Sequence, residues 1–271
     1  MKPTSQDWTN ALAEAWARWT PPDRPSPGEL AVYEETLQWL LARKKRPRVM
    51  VLGSTSEFRD LYAKYRLPCT VVEYKKENYH ALGTLMKRES YRETLVLGDW
   101  RAVKQQAKYD LILGDYCVNV LPKQDQPNFI ANLSRLLSID GYAMLKTFVR
   151  YAAERGDLAE RLRFYRTKMK HRPILETVMA AMFKSAYDFE KEVGLFPDIW
   201  KIFERLFQEK KMTKAEFSYF ESLNFPKITL QVYIPLFHDI LTVIDANARL
   251  HGVRFGGEWF SRDVPIFVFQ K

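Results

Sequence analysis

Short apolar runs recur along the first half of the chain, and most end on a glycine or an acid. Residues 48–52 lead into Gly53, 69–73 end at Glu73, 94–97 precede Gly98 and Asp99, 109–114 precede Asp115, and 142–148 follow Gly141. Unbroken apolar runs predict strands buried on both faces, where alternation would predict one wet face. Between them, stretches of mixed polarity predict helices near 57–65, 78–87, 100–106 and 125–138. Strands alternating with helices predict a mostly parallel, doubly wound α/β sheet covered on both sides.

The flanks follow other patterns. Leu12, Ala15, Trp16 and Trp19 recur at helical spacing within residues 8–19, and residues 20–28 (TPPDRPSPG) form a proline-rich connector. A second amphipathic helix is predicted over 29–42, with Leu30, Tyr33, Leu37, Leu40 and Leu41 as its buried stripe. After Phe148 the alternation stops. Residues 151–223 are mostly helix-forming and rich in Phe, Tyr, Lys and Glu, which predicts a helical cap over the carboxyl ends of the strands. Alternation then resumes with a strand over 227–234, a helix over 236–251 and a hairpin joining 253–255 to 264–269 around Gly256–Gly257. The expected organisation is an N-terminal helical segment (1–45), a core (46–150 and 224–271) and a cap (151–223).

At 271 residues, 46% hydrophobic and 14% aromatic, the chain can bury a sizeable core. Cys69 and Cys117 do not make a disulfide framework, and without a CxxC pair there is no zinc signature, so no metal is expected. No apolar run approaches the ~20 residues that span a bilayer, and residues 1–8 lack the apolar core of a signal peptide, so a cytoplasmic protein without a membrane partner is expected. The net charge of +9 comes largely from Arg43–Arg46 with Arg48 and from the stretch 150–172. Such an excess suits nucleic-acid binding but also occurs in many soluble enzymes.

The strand ends carry the candidate chemistry. Gly53 lets backbone approach a ligand, Ser54 and Thr55 offer hydroxyls, and Ser56 is placed to cap the next helix. Glu73, twenty residues past Gly53, is an acid ending an apolar strand, a costly position unless something bonds to it. Together with Gly98–Asp99–Trp100 and Gly114–Asp115, this array resembles the class I S-adenosylmethionine-dependent methyltransferases, in a variant whose first turn reads Leu-Gly-x-Thr-x-Glu in place of a GxGxG loop. The resemblance implies a Rossmann-like, seven-stranded sheet and S-adenosylmethionine as cofactor. A nicotinamide cofactor fits less well, because only one glycine remains in the first turn.

The resemblance assigns roles residue by residue. Gly53, Ser54 and Thr55 are expected at the methionine moiety, with Glu73 and the adjoining Tyr74 at the ribose. Asp99 is expected at the adenine amino group, Trp100 against the ring, and Asp115, Tyr116 and Cys117 near the methionyl amine. Arg24–Pro25–Ser26 resembles an Arg-Pro-Ser segment of the same variant, which makes Arg24 and Ser26 further candidates.

The methyl acceptor stays open between a small molecule with an O or N nucleophile, an RNA or other polyanion, and none at all in a silent cofactor-binding scaffold. Asp115–Tyr116–Cys117–Val118–Asn119 lacks the prolines of the amino-directed base methyltransferases, and Cys117 lacks the preceding proline of a cytosine C5 nucleophile. Tyr187, Phe189, Phe196, Trp200 and Phe203 are expected to roof an apolar pocket, which favours the small molecule. Should a base be needed, His238 is the first candidate, ahead of His171 and His251. The basic run with Arg161, Arg163, Arg166, Lys168 and Lys170 around Phe164 and Tyr165 supports the polyanion alternative.

Overall fold

The computed structural model describes residues 10–104, 108–153 and 155–271. Helices α1 (Asn10–Trp16) and α2 (Pro27–Leu41) precede the first strand. Ser26 caps α2 through a reciprocal box with Glu29, and Pro27 opens the helix where its missing N–H is harmless. The core then runs β1 (Val49–Leu52), α3 (Ser56–Lys64), β2 (Cys69–Glu73), α4 (Lys76–Gly83), β3 (Glu93–Leu97), β4 (Tyr109–Asp115), α5 (Gln126–Leu136) and β5 (Leu137–Lys146). The segment expected as a cap (151–223) holds α6 (Leu158–Phe164), continued by a π turn at Tyr165–Met169, then α7 (Ile174–Ser185), β6 (Tyr187–Asp188), β7 (Val193–Leu195), α8 (Phe196–Gln208) and α9 (Lys214–Ser222), and β8 (Gln231–Val232) follows it. The chain returns to the core with α10 (Phe237–Asn247), β9 (Arg249–Arg254) and β10 (Ile266–Gln270).

Seven strands form the main sheet in the order β3-β2-β1-β4-β5-β10-β9. The first five are parallel, while β10 is antiparallel to both β5 and β9. Tyr33, Leu37, Phe58 and Tyr62 from α2 and α3 cover one face against Val49, Val51 and Val71. Phe129 and Leu133 from α5 and Ile240 and Ile244 from α10 cover the other against Met50, Leu52 and Ile112. Burial on both faces is why these strands read as unbroken apolar runs. The strand order reverses between β1 and β4, which brings Gly53, Asp115 and, one strand out, Glu73 to a common rim.

The outer strand β3 is fastened by an ion pair. Arg59 of α3 grips both oxygens of Glu93, donates to the Tyr79 carbonyl and lies over the Tyr79 ring, with both charged side chains almost fully buried.

Several local expectations need correction. The predicted helix over 100–106 is a turn through residue 102, with residues 105–107 outside the described ones. Trp8 also lies outside them, and the first helix ends at Trp16. The strand expected over 227–234 shrinks to Gln231–Val232 and joins β6 and β7 in a separate three-stranded sheet. Strands of two or three residues carry no readable periodicity. The final strand pair forms as expected, although β9 begins at Arg249. Among the described residues, no helix is long and apolar enough to cross a membrane.

Candidate functional site

A cavity of about 260 Å³ opens at the rim and runs beneath the cap. Its core wall is built from Gly53, Ser54, Thr55, Glu73, Tyr74, Asp99, Trp100, Asp115 and Tyr116, and the connector contributes Asp23 and Arg24. The far wall is apolar, with Trp16, Trp19, Phe148, Met179, Phe183 and Phe196.

Gly53 ends β1 with φ +76°, a conformation in which a side chain is strained. A Cβ built there would stand 3.4 Å from the Trp100 ring, so that indole closes over the turn. Trp100 is held by its Nε1 donating to the Val72 carbonyl at 3.0 Å. Thr55, not Ser56, occupies the N-cap of α3, and the Ser56 hydroxyl donates to Glu57.

Glu73 is 5% exposed. One oxygen accepts from the Tyr74 N–H at 2.7 Å and from Asn78 at 3.3 Å, and the other accepts from the Ser54 hydroxyl at 2.9 Å. Burial pushes its pKa up, against these donors. Asp99 is engaged by its neighbour: the Arg101 guanidinium and N–H bind both oxygens, and Arg101 also reaches Asp125. Burial pushes Asp99 up, but Arg101 outweighs it and holds its pKa below the ordinary value.

A charged group unassigned from sequence lies at the centre of the rim. Lys146, fully buried at the end of β5, places its Nζ 2.7 Å from the Pro22 carbonyl, 3.1 Å from Asp115 and 3.3 Å from Glu29. Tyr116, the residue after β4, adopts φ +54°, donates its hydroxyl to the same Pro22 carbonyl and lays its ring over the ammonium. Burial disfavours the Lys146 charge, yet Asp115 and Glu29 outweigh that and raise its pKa. Burial likewise pushes Asp115 up to about 7 and Asp23 up to about 8, with Lys146 pulling both back. Lys146 carried the same signal as Glu73, a charge ending an apolar strand. Asp23 carried none, since its partners lie far along the chain.

Other candidates fall outside the cavity wall or line it with their polar groups already paired. Ser26 is spent on capping α2. Cys117 is buried under β1 with its thiol against the Leu52 and Asp115 carbonyls, and burial raises its pKa well above the ordinary value. Arg24 does line the cavity, but its guanidinium is paired with Glu57 at 2.5 Å. His238 does not line it: Ile240 and Ile244 turn inward, leaving His238 70% exposed beside Asp239. His80, His171 and His251 are also exposed. Of the five roofing aromatics expected, only Phe196 reaches the cavity, whereas Tyr187 and Phe203 are buried in the cap core and Trp200 packs on Phe217. Asn119 lines the wall with its amide committed to the Phe148 and Tyr233 backbones.

The buried acids make stability depend on pH. A carboxyl whose folded pKa lies above its unfolded value binds its proton more tightly when folded, so its stabilising share is complete below about pH 4 and is lost as pH rises through the folded pKa. For Asp115 and Asp23 that window runs from 3.8 to about 7 and about 8. The ligand-free protein is therefore expected to lose stability between pH 5 and 8, by up to about 1.4 kcal/mol per pH unit for each group. Denaturant unfolding at several pH values checks this, and a profile that rises with pH would contradict it.

No protein-family model matches the sequence, and no curated protein matches it. The structure is similar to the CcbJ methyltransferase of Streptomyces caelestis, with TM-score 0.58 and 11% identity over 98% of this chain and 99% of that one. It is similar to a candidate Zn-dependent alcohol dehydrogenase of Rhodobacter sphaeroides, with TM-score 0.57 and 16% identity over 97% and 99%. It also matches the magnesium protoporphyrin IX methyltransferase ChlM of Synechocystis PCC 6803, solved with bound SAH, with TM-score 0.51 and 10% identity over 97% and 93%. Among the described residues, no three His, Cys, Asp or Glu side chains group to hold a metal ion. At such identities the likeness concerns architecture, and in architecture the chain is a Rossmann-like protein of the class I methyltransferase fold.

Proposed function

We propose that the protein is an S-adenosylmethionine-dependent methyltransferase whose acceptor is a small molecule enclosed beneath the cap. The observation that carries this is the continuity of one cavity from Glu73, Gly53 and Trp100 at the strand ends to the apolar wall of Trp19, Met179, Phe183 and Phe196. Methyltransferases among the solved structures of the same fold, one of them with bound SAH, support it.

The residues fit such a donor. Glu73 offers two buried acceptor oxygens for vicinal ribose hydroxyls, and Gly53 at φ +76° lets the turn run without a side chain, with Trp100 packed on it. Trp100 supplies a flat apolar face. Asp115 and the N-terminus of α3 suit the ammonium and carboxylate of an amino acid, respectively. When bound, the donor supplies a methyl group activated on sulfonium sulfur. The protein's part is to aim the acceptor along the sulfur–methyl axis and keep water out, and effective molarities of about 10⁵–10⁸ M are reached by orientation alone. The apolar cap wall serves both tasks, and no histidine is required at the reacting atom.

The basic stretch at 150–172 gives a polyanion acceptor less support than its composition suggests. Arg150 pairs with Glu192, Arg166 with Glu216 and Arg172 with Glu176. Calorimetry is expected to detect SAH binding, and radiolabelled S-adenosylmethionine with a fractionated lysate is expected to place label in the small-molecule fraction. Label in RNA would replace the proposed acceptor, and failure to bind SAH would remove the proposal.

A further inference from the structure

Asp23 lies in the connector between α1 and α2, one residue after the carbonyl that receives both Tyr116 and Lys146. Those two donors pin the connector to the ends of β4 and β5, so the position of Asp23 is set by the sheet. It is 6% exposed and stands in the cavity wall, and its Oδ2 has no hydrogen-bond partner among the described residues. A buried carboxyl oxygen without a partner is unfavourable, and such a group persists where a ligand completes it. Among the other acids of the wall, Glu73 has four donors, Asp99 has Arg101 and Glu57 has Arg24, while Asp115 also lacks a hydrogen bond at its Oδ1 but has the Lys146 ammonium 3.1 Å from that oxygen.

Charge narrows the ligand. Lys146 pairs with Glu29 and Asp115, and Asp23 feels the same ammonium through space without a bond to it, so the cluster holds three carboxyls and one cation. A phosphate or carboxylate acceptor would add to this excess and an alcohol would leave it unrelieved, whereas an amine relieves it. The neighbouring wall of Trp16, Trp19, Phe148, Phe183 and Phe196 suits an apolar, ring-bearing body, and indole faces attract cations.

On the methyltransferase reading above, we propose that Asp23 binds the methyl acceptor and that this acceptor is an amine carried on an apolar, ring-bearing body. The amine enters as an ammonium, and on pairing with it the Asp23 carboxyl releases its own proton to solvent and becomes a carboxylate. One proton passes from nitrogen to the carboxylate, which frees the nitrogen lone pair. The N–C bond then forms as the S–C bond breaks, moving the positive charge from sulfur to nitrogen and leaving a neutral thioether. The groups facing Asp23 are Lys146, Asp115, Tyr116 and Tyr219, and its pKa of about 8, raised by burial, keeps the carboxyl within reach of an alkylammonium proton.

The test uses the full chain saturated with SAH at pH 7, titrated calorimetrically with 2-phenylethylamine, 2-phenylethanol and 3-phenylpropanoate. The amine is expected to bind at least tenfold tighter than the alcohol, with the carboxylate weakest. Asp23→Asn is expected to erase that preference while SAH affinity stays within twofold. Amine and alcohol behaving alike, including neither binding, overturns the proposal, as does a preference that survives in the variant. The wild-type comparison stands alone if the variant misfolds. Loss of SAH binding in the wild type would instead overturn the methyltransferase reading, a separate outcome.

Discussion

Methionine in place of Lys146 is expected to lower the unfolding free energy at pH 8 by about 3–5 kcal/mol, the usual consequence of stripping one partner from a buried ion pair. The side chain is wholly enclosed and is shared by Asp115, Glu29 and the Pro22 carbonyl, so its removal leaves two carboxyls without a counter-ion and a carbonyl without one of its donors. Methionine keeps the length of the stem, so cavity formation contributes little. The deficit should shrink at pH 5, where Asp115 and Glu29 can take up protons at little cost because burial already raises both pKa values. Urea unfolding of both proteins at the two pH values measures it. A change below 1 kcal/mol, equal at both, would mean that water reaches the cluster.

Glu73→Ala should weaken SAH binding roughly 100-fold or more, since hydrogen bonds to a charged acceptor contribute about 1.5–3 kcal/mol each. Glu73 also ties Ser54 to Tyr74 and Asn78, so part of the loss would come from a loosened rim. Glu73→Gln separates the two contributions: it keeps the shape and one acceptor oxygen, and a loss near tenfold is expected. Calorimetry together with thermal melts of the unliganded variants gives both quantities. SAH affinity within twofold of wild type, in a protein that melts normally, would take Glu73 out of the ligand site.

The parallel sheet was legible because its inner strands β1, β2 and β4 are buried on both faces and the alternation with helices is regular, while β3 at the edge is apolar in sequence yet partly exposed. Glu73 and Asp115 were legible for a related reason, since each breaks an apolar run at the end where a buried charge needs a partner. Lys146 broke the rule in the same way at the end of β5, but its partners, Glu29 and Pro22, lie more than a hundred positions away and only the fold brings them near. Asp23 was hidden among prolines, where composition signals a turn and says nothing of what the turn faces. Residue type alone singles out His238, and the sequence of a short helix does not fix its phase closely enough to show that this side chain points outward. The cap aromatics failed similarly: spacing marks a buried stripe without distinguishing the cap's own core from a ligand wall, and the wall proved to include Trp16 and Trp19 from the N-terminal segment.

Among the described residues, three tryptophans stand in the cavity wall, Trp100 over Gly53 at one end and Trp16 with Trp19 near the cap at the other. Intrinsic emission is therefore an optical reporter built into the fold. A nucleoside stacking on the first indole and a ring settling against the other two would quench different fluorophores, so Trp→Phe variants at the two ends would assign the signal to each without any attached dye.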